Sequence, residues 1–192
     1  MPTFSVDTLL AQAKADGGFA KQNRFMINLP NLAFGTLIPG TNTTSALFDQ
    51  NAEQVANIFS IYCRATNMPG KQILSVDRRV GLTYNKIAYG YASDDVGLSF
   101  QLTENYFIKS YFEAWQQSAV VSNGPGAHFP KFRDEYVQDV SIIQLGMDGE
   151  RKHKIKLLKA YPTTVNAIQF NDASGEPTEL SVQLSYKRWI EE

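Results

Sequence analysis

Charge is scarce in this chain, and what there is balances. Of 192 residues only 19% are Asp, Glu, Lys or Arg, and 18 basic against 19 acidic side chains leave a formal charge of −1. A free-standing electrostatic nucleic-acid binder carries a basic excess, so the composition argues against that class. Cysteine occurs once, at Cys63, which rules out an intrachain disulfide and a cysteine-based zinc site. No stretch approaches the roughly 20 apolar residues of a membrane-spanning helix. Near the start, Asp7 precedes the Leu9-Leu10 pair and Lys14 follows it, the reverse of the positive-then-apolar order of a secretory signal. A soluble protein is expected, one that leaves a cell only by lysis or as part of a particle.

What is present is apolar and aromatic. Hydrophobic residues make up 43% and aromatics 12%, enough for a real core in one domain spanning residues 1–192. So thinly charged a chain covers part of its surface with something else, most often an oligomer partner.

The periodicity is mostly that of strands. Residues 3–16 form a short amphipathic helix with Ser5 placed to cap it and Gly17-Gly18 to end it. Together with the following residues it makes an N-terminal arm, 1–22. Phe25, Ile27 and Leu29 then alternate with Arg24, Met26 and Asn28 up to Pro30. Residues 31–57 dissolve into Gly, Pro, Thr and Asn and read as an insertion or long surface loop, with a helical turn within 45–56. Phe59, Ile61 and Cys63 alternate with Ser60, Tyr62 and Arg64, which predicts a strand. Residues 71–80 and 82–92 predict the arms of a long hairpin around Gly81, and 96–103 a further strand. The long helix is expected at about 105–120, where Phe107, Tyr111 and Trp115 lie four apart; such a stripe is core rather than cofactor box. A Gly/Pro loop at 122–129 follows. A second hairpin, 135–145 with 151–160, and a last pair of strands, 165–170 with 179–190, complete a mainly antiparallel β fold.

Catalytic chemistry is hard to find. His128 and His153 are the only histidines, and no GxSxG, HExxH or Walker A pattern is present. Asp94-Asp95, Asp134-Glu135 and Glu191-Glu192 are adjacent pairs whose side chains diverge in extended chain, poor geometry for acid/base work. No enzyme, metal or cofactor is expected. The segment 151–159 is the one charge anomaly. Lys152, Lys154 and Lys156 share one face of a strand, either a stripe facing phosphates or an acidic neighbouring subunit, or a solvated edge that discourages unwanted pairing. Strands 96–103 and 180–187 each carry a second face of Gly, Ser, Gln and Thr. Such a face suits a subunit contact or a channel wall, or is plain surface.

From Phe59 onward the residues resemble the tail tube protein of T4-like contractile-tailed phages. Cys63-Arg64-Ala65-Thr66-Asn67-Met68-Pro69 is similar to that family's strand ending in a C-K-A-T-x-L-P-like turn. Tyr111-Phe112-Glu113-Ala114-Trp115-Gln116-Gln117 resembles its F-x-x-W-Q helix. Ala160-Tyr161-Pro162-Thr163-Thr164-Val165 resembles its aromatic-Pro-Thr-x-Val corner, and the closing strand runs to Tyr186 and Trp189. The order and spacing agree, and Phe19–Pro30 fits the opening strand; residues 31–57 match nothing in the pattern. Phe112, Trp115, Tyr161 and Pro162 stand as the structural residues of the motif.

The resemblance implies an antiparallel β-sandwich or barrel-like subunit with one flanking helix. Six subunits close into a ring whose inner sheets join as one barrel, and rings stack into a tube inside a contractile sheath. The implied partners are further copies of the chain, the tail sheath protein, a baseplate or tube initiator, a tail terminator and the tape measure protein, with genome DNA passing through the lumen. The implied location is the virion, assembled in the bacterial cytoplasm. By analogy Phe4, Leu9 and Leu10 of the N-terminal arm and Val80, Leu82 and Tyr84 at the hairpin tip are expected in ring stacking. Lys152, Lys154 and Lys156 are expected to face a neighbouring subunit or the exterior. The alternatives are the tube of a bacterial contractile injection or secretion system, a baseplate tube initiator and, from another class, a monomeric β-barrel that binds a ligand.

Overall fold

A computed structural model describes residues 5–15, 18–30, 32, 52–122, 128–170, 175 and 177–192. It is mainly antiparallel β. Helix α1 (Val6–Ala15) is followed by β1 (Phe25–Asn28), α2 (Ala52–Tyr62) and β2 (Cys63–Thr66). Strands β3 (Gln72–Val80), β4 (Thr83–Ala92) and β5 (Val96–Gln101) precede helix α3 (Phe107–Ala119). A small pair, β6 (Val120–Ser122) and β7 (His128–Pro130), and a helical turn α4 (Arg133–Tyr136) come next. The chain closes with β8 (Gln138–Leu145), β9 (Arg151–Val165), β10 (Glu179–Ser185) and β11 (Arg188–Glu191).

Strand β9 organises the body. Seven strands run in the order β1-β8-β9-β10-β5-β2, with β11 also on β9. The first part of β9 pairs with β8 (Ile142↔Ile155, Val140↔Leu157) and with β11 (Trp189↔Leu157). Its last part pairs with β10 (Val182↔Val165, Leu184↔Pro162). Between them Lys159 has a φ of 54°, and its N–H donates to Asp139 Oδ1 at 3.1 Å, so a side chain serves the kink where the ladder breaks.

Both parts of the seven-stranded array bury into one cluster with α3. Ile27, Ile142 and Leu157 come from one part, Leu98, Phe100, Leu180 and Leu184 from the other, and Ile108, Tyr111, Phe112 and Trp115 from the helix. The aromatic spacing of α3 places its stripe inward as its period requires, and burying Phe112 alone stabilises by about 1.5–3 kcal/mol. The polar tips are satisfied: Tyr111 Oη donates to the Pro30 carbonyl and Trp115 Nε1 to the Tyr136 carbonyl, each at 2.7 Å. Burial pushes the Tyr111 hydroxyl well above its ordinary pKa.

Several expectations are corrected. Residues 59–62 are helix, not strand: Phe59 is fully buried while Ile61 is 74% exposed, which alternation forbids. Ile58, Phe59 and Tyr62 are the stripe of α2, and a short apolar run fits either period until its neighbours decide. Phe59 sits among Phe107 (5.2 Å between ring centroids), Tyr111 (4.5 Å), Phe100 (6.1 Å) and Phe112 (6.2 Å). The single flanking helix is therefore joined by a second, and the end of segment 31–57 is helical; residues 31 and 33–51 lie outside the described residues. Helix α2 also shields β1, since Ser60 Oγ donates to the Ile27 carbonyl at 2.8 Å and accepts from its N–H at 3.0 Å. Further on, the helix expected at 105–120 ends at Ala119, and both sides of the loop expected at 122–129 pair as β6 and β7, with 123–127 outside the described residues. The strand expected at 135–145 starts only at Gln138, because 133–136 is helical. The strand expected at 165–170 is absent: β9 runs straight through Tyr161-Pro162 to Val165, and the closing segment breaks at Tyr186-Lys187 into two strands that both lie on β9.

Candidate assembly surfaces

Three surfaces stand out, and none of them is a catalytic cleft. The first is the outer face of β5 and β10. Their register sets Leu180 opposite Phe100, Val182 opposite Leu98 and Leu184 opposite Val96 on the buried side. The other side therefore pairs Ser181 with Ser99 and Gln183 with Gly97. Ala65, Thr66 and Asn166 border this face around a shallow depression of about 410 Å³. Its charges gather at one end, where Glu179 lies opposite Gln101 and the Arg64 Nε donates to Gln101 Oε1 at 2.7 Å. The two uncharged faces read separately from the sequence are thus one surface.

The second surface is the β3–β4 hairpin. Among the described residues these two strands pair only with each other. Every side chain of β4 from Thr83 to Tyr91 is exposed. Ile73 pairs with Tyr91 and Val76 with Ile87, and Tyr84 and Tyr89 also stand in solvent. At the tip Gly81 takes a φ of 66°, the glycine-first arrangement that suits twisted strands, and leaves Leu82 92% exposed. A two-stranded ribbon with apolar side chains exposed along it is marginal alone. We call it the arm. Leu82 and Tyr84, expected in ring stacking, are exposed; the Val80 side chain lies outside the described residues.

The arm continues the body. Strands β2 and β5 pair up to Thr66↔Leu98. Then equal lengths of chain, 67–71 and 93–97, separate that ladder from Gln72↔Ala92 at the foot of the arm.

The third surface is the lysine row on β9. Each lysine meets a carboxylate of its own chain: Lys152 with Glu150 at 2.8 Å, Lys156 with Asp139 at 2.9 Å, and Lys154 with Glu192. Lys159 joins Asp134 at 2.5 Å, and His153 Nδ1 lies 3.1 Å from Glu191. Hydrogen bonding to Glu150 and to Asp139 raises the pKa of Lys152 and of Lys156. Partial burial works to raise Asp139, but the Lys156 bond and the Lys159 N–H outweigh it and its pKa is lowered. The row is a neutralised ladder rather than a free positive field, a pairing that depends on the strand register and on the chain end.

The motif residues divide. Phe112 and Trp115 are core. Pro162 is buried opposite Leu184, while Tyr161 packs edge-on against Tyr136 at 5.3 Å, beneath Arg133. They border a cleft of about 760 Å³ between the C-terminal half of α3 and the end of β9. Leu10 is exposed on α1; Phe4 and the Leu9 side chain lie outside the described residues. Sequence reasoning missed Phe129 and Phe132, both exposed, and Asn67 and Tyr186, which lie where the arm meets the body. The turn-like end of the Cys63–Pro69 motif pointed to Asn67 and the closing strand to Tyr186, neither of them as a contact at the foot of the arm. Among the described residues no three His, Cys, Asp or Glu side chains converge as metal ligands.

This architecture is similar to known assemblies. A family model described as phage tail tube protein matches residues 20–192. The chain belongs to that family. It is a family of structural tail components, not of enzymes. No curated protein matches it. Among solved structures, a chain of the anti-feeding prophage tube-terminating cap superposes with a TM-score of 0.60 at 13% identity, covering 91% of each chain. A chain of that prophage's baseplate, six-fold symmetrised, gives 0.59 at 14% identity over 90% of this chain and 95% of that one. A chain of the PVC extracellular contractile injection system, in its extended sheath–tube complex, gives 0.57 at 12% identity over 99% of both. At such identities the likeness speaks for the tail tube fold.

Proposed function

We propose that the chain is the repeating tube subunit of a contractile-tailed phage. In this reading six copies close into a ring, the β5–β10 face with its Ser, Gln and Gly residues turns toward the lumen, and the arm bridges to the next ring. One observation carries the reading: a nearly uncharged face of β5 and β10 lies beside the β2–β5 ladder, whose two strands lead into an arm with apolar side chains that have no cover within the described subunit. Few fixed charges on a lumen wall mean few phosphate contacts, so DNA slides with little adhesion. The neutralised lysine row then serves as a contact between copies, and α1, with Leu10 exposed, shares in stacking.

Sheath, baseplate initiator, terminator and tape measure protein are the partners this role brings, within a virion tail put together in the bacterial cytoplasm. The solved relatives favour a second reading, the tube of a contractile injection system, which uses the same fold without a genome to deliver. Neighbouring capsid and terminase genes, or effector genes, separate the two. Negative-stain electron microscopy over a concentration series, with light scattering on the same samples, tests the class. Stacked six-fold rings or hollow tubes are expected. A monomer at every concentration that baseplates also fail to recruit overturns the reading in favour of a ligand-binding module.

A further inference from the structure

The break between body and arm is bridged by side chains. Past Thr66↔Leu98, where β2 has ended while Gly97 and Val96 still pair with β10, Asn67 supplies the missing rungs on the β2 side. Its Oδ1 accepts the Gly97 N–H at 2.5 Å, its Nδ2 donates to the Asp95 carbonyl at 3.4 Å, and its own N–H donates to the Gly97 carbonyl at 3.4 Å. Gly97 leaves room for this, since a Cβ there would stand 3.3 Å from Asn67 Oδ1. From the end of β10, Tyr186 reaches the same crossing: its ring belongs to the core cluster, and its Oη donates to the Asp94 carbonyl at 2.8 Å. Both tethers grip the 93–97 side, one from the paired strand and one from the core. Unpaired chain on each side would let the arm swing; a carboxamide bonded across the gap and a phenol anchored in the core fix the segment 94–97 to which β4 leads.

We propose that Asn67 and Tyr186 form a fixed joint that sets the direction of the arm, and that a subunit adds to a growing tube only with its arm so directed. The assembly half rests on the tube reading above; the joint itself does not. A subunit whose arm is already aligned loses less conformational freedom on docking.

The test uses the full chain with spin labels on cysteines introduced as Asn85→Cys on the arm and Gln138→Cys on the body, both at exposed positions. Cys63 is buried and its thiol is pushed up to about 12, so it stays unlabelled. In the Asn67→Ala and Tyr186→Phe backgrounds the arm-to-body distance distribution is expected to broaden about twofold, with melting close to that of the parent. Unlabelled Asn67→Ala is expected to need an about tenfold higher concentration to extend baseplate-nucleated tubes. Asn67→Asp, which keeps the acceptor and loses the donor, falls between. An unchanged distance distribution overturns the joint. A broadened distribution with unchanged tube growth overturns its role in assembly. Leu82→Asp at the arm tip is the separate control: if it grows tubes as the parent does, the stacking role of the arm fails while the distance result still judges the joint.

Discussion

The body and the arm are built from similar residues and obey opposite rules. Around α3, Phe59, Phe100, Tyr111, Phe112 and Trp115 exclude water completely. Along β3 and β4, Ile73, Tyr84, Tyr89 and Tyr91 stay 60–69% exposed. In the first region the hydrophobic effect acts within one chain and yields a folded subunit. In the second the same driving force is left unspent and becomes available to another molecule. An apolar residue in this protein therefore serves the fold where the body holds it and, in the proposed tube, assembly where the arm holds it.

Breaking that contrast calls for substitutions on both sides. Trp115→Ala removes the largest fully buried side chain and an indole hydrogen bond. It should cost about 3–5 kcal/mol, out of the roughly 5–15 kcal/mol that hold a domain together, read as a lower urea midpoint. Next comes Ser60→Ala, which strips both partners from the Ile27 backbone and should cost about 1–3 kcal/mol by the same measurement.

Acid has a smaller effect. Lysine hydrogen bonds and charges hold Asp134, Glu150 and Glu192 below their ordinary values of 3.8 and 4.5, and Asp139 is also lowered. The stability these carboxylates contribute is present above those values and lost as pH falls through their lowered folded pKa values. Lys152 and Lys156 are raised above 10.5, so their share holds below that value and is lost as pH rises past it. Melting should thus be flat from about pH 5 to 8 and fall modestly in acid, because the pairs are partly solvated, and more steeply in alkali, where unfolding releases the raised protons of the buried Cys63 thiol and Tyr111 hydroxyl. Asp139→Asn should blunt both slopes. Least of all, Leu82→Asp or Val80→Asp should shift the subunit's own stability by no more than about 0.5 kcal/mol and yet abolish tube growth. A large melting shift in either would show that the arm packs on the body after all.

These contrasts were unevenly legible in the sequence. The hairpin expected at 71–92 announces itself through Gly81 between arms rich in Tyr, Val and Thr, and α3 through aromatics four apart, because each signal lies within one element. The second helix did not, because Phe59-Ser60-Ile61-Tyr62 is too short to choose a period without the ring cluster that receives Phe59. Pro162 reads as a corner in sequence, whereas in the fold it lies opposite Leu184 in a continuing strand, a placement decided by long-range pairing. The polar faces of 96–103 and 180–187 were visible one at a time; that Ser99 meets Ser181 depends on register. So do the partners of the lysines, since Glu192 and Asp139 are remote in sequence from Lys154 and Lys156. Sequence periodicity says which side of a strand is apolar, and only the assembled sheet says whether anything lies against it.

One feature of the body bears on mechanics. Strand β9 belongs by covalent continuity to both parts of the sheet system, holding β8 and β11 along its first part and β10 along its last. Under axial load, a pull or thrust received by the β5–β10 part passes into the β8 part along a peptide backbone instead of across side-chain contacts. The two parts cannot slip past each other without shearing many ladder hydrogen bonds at once. In the proposed tube, such a subunit would yield at its contacts with neighbouring copies before its two parts slide.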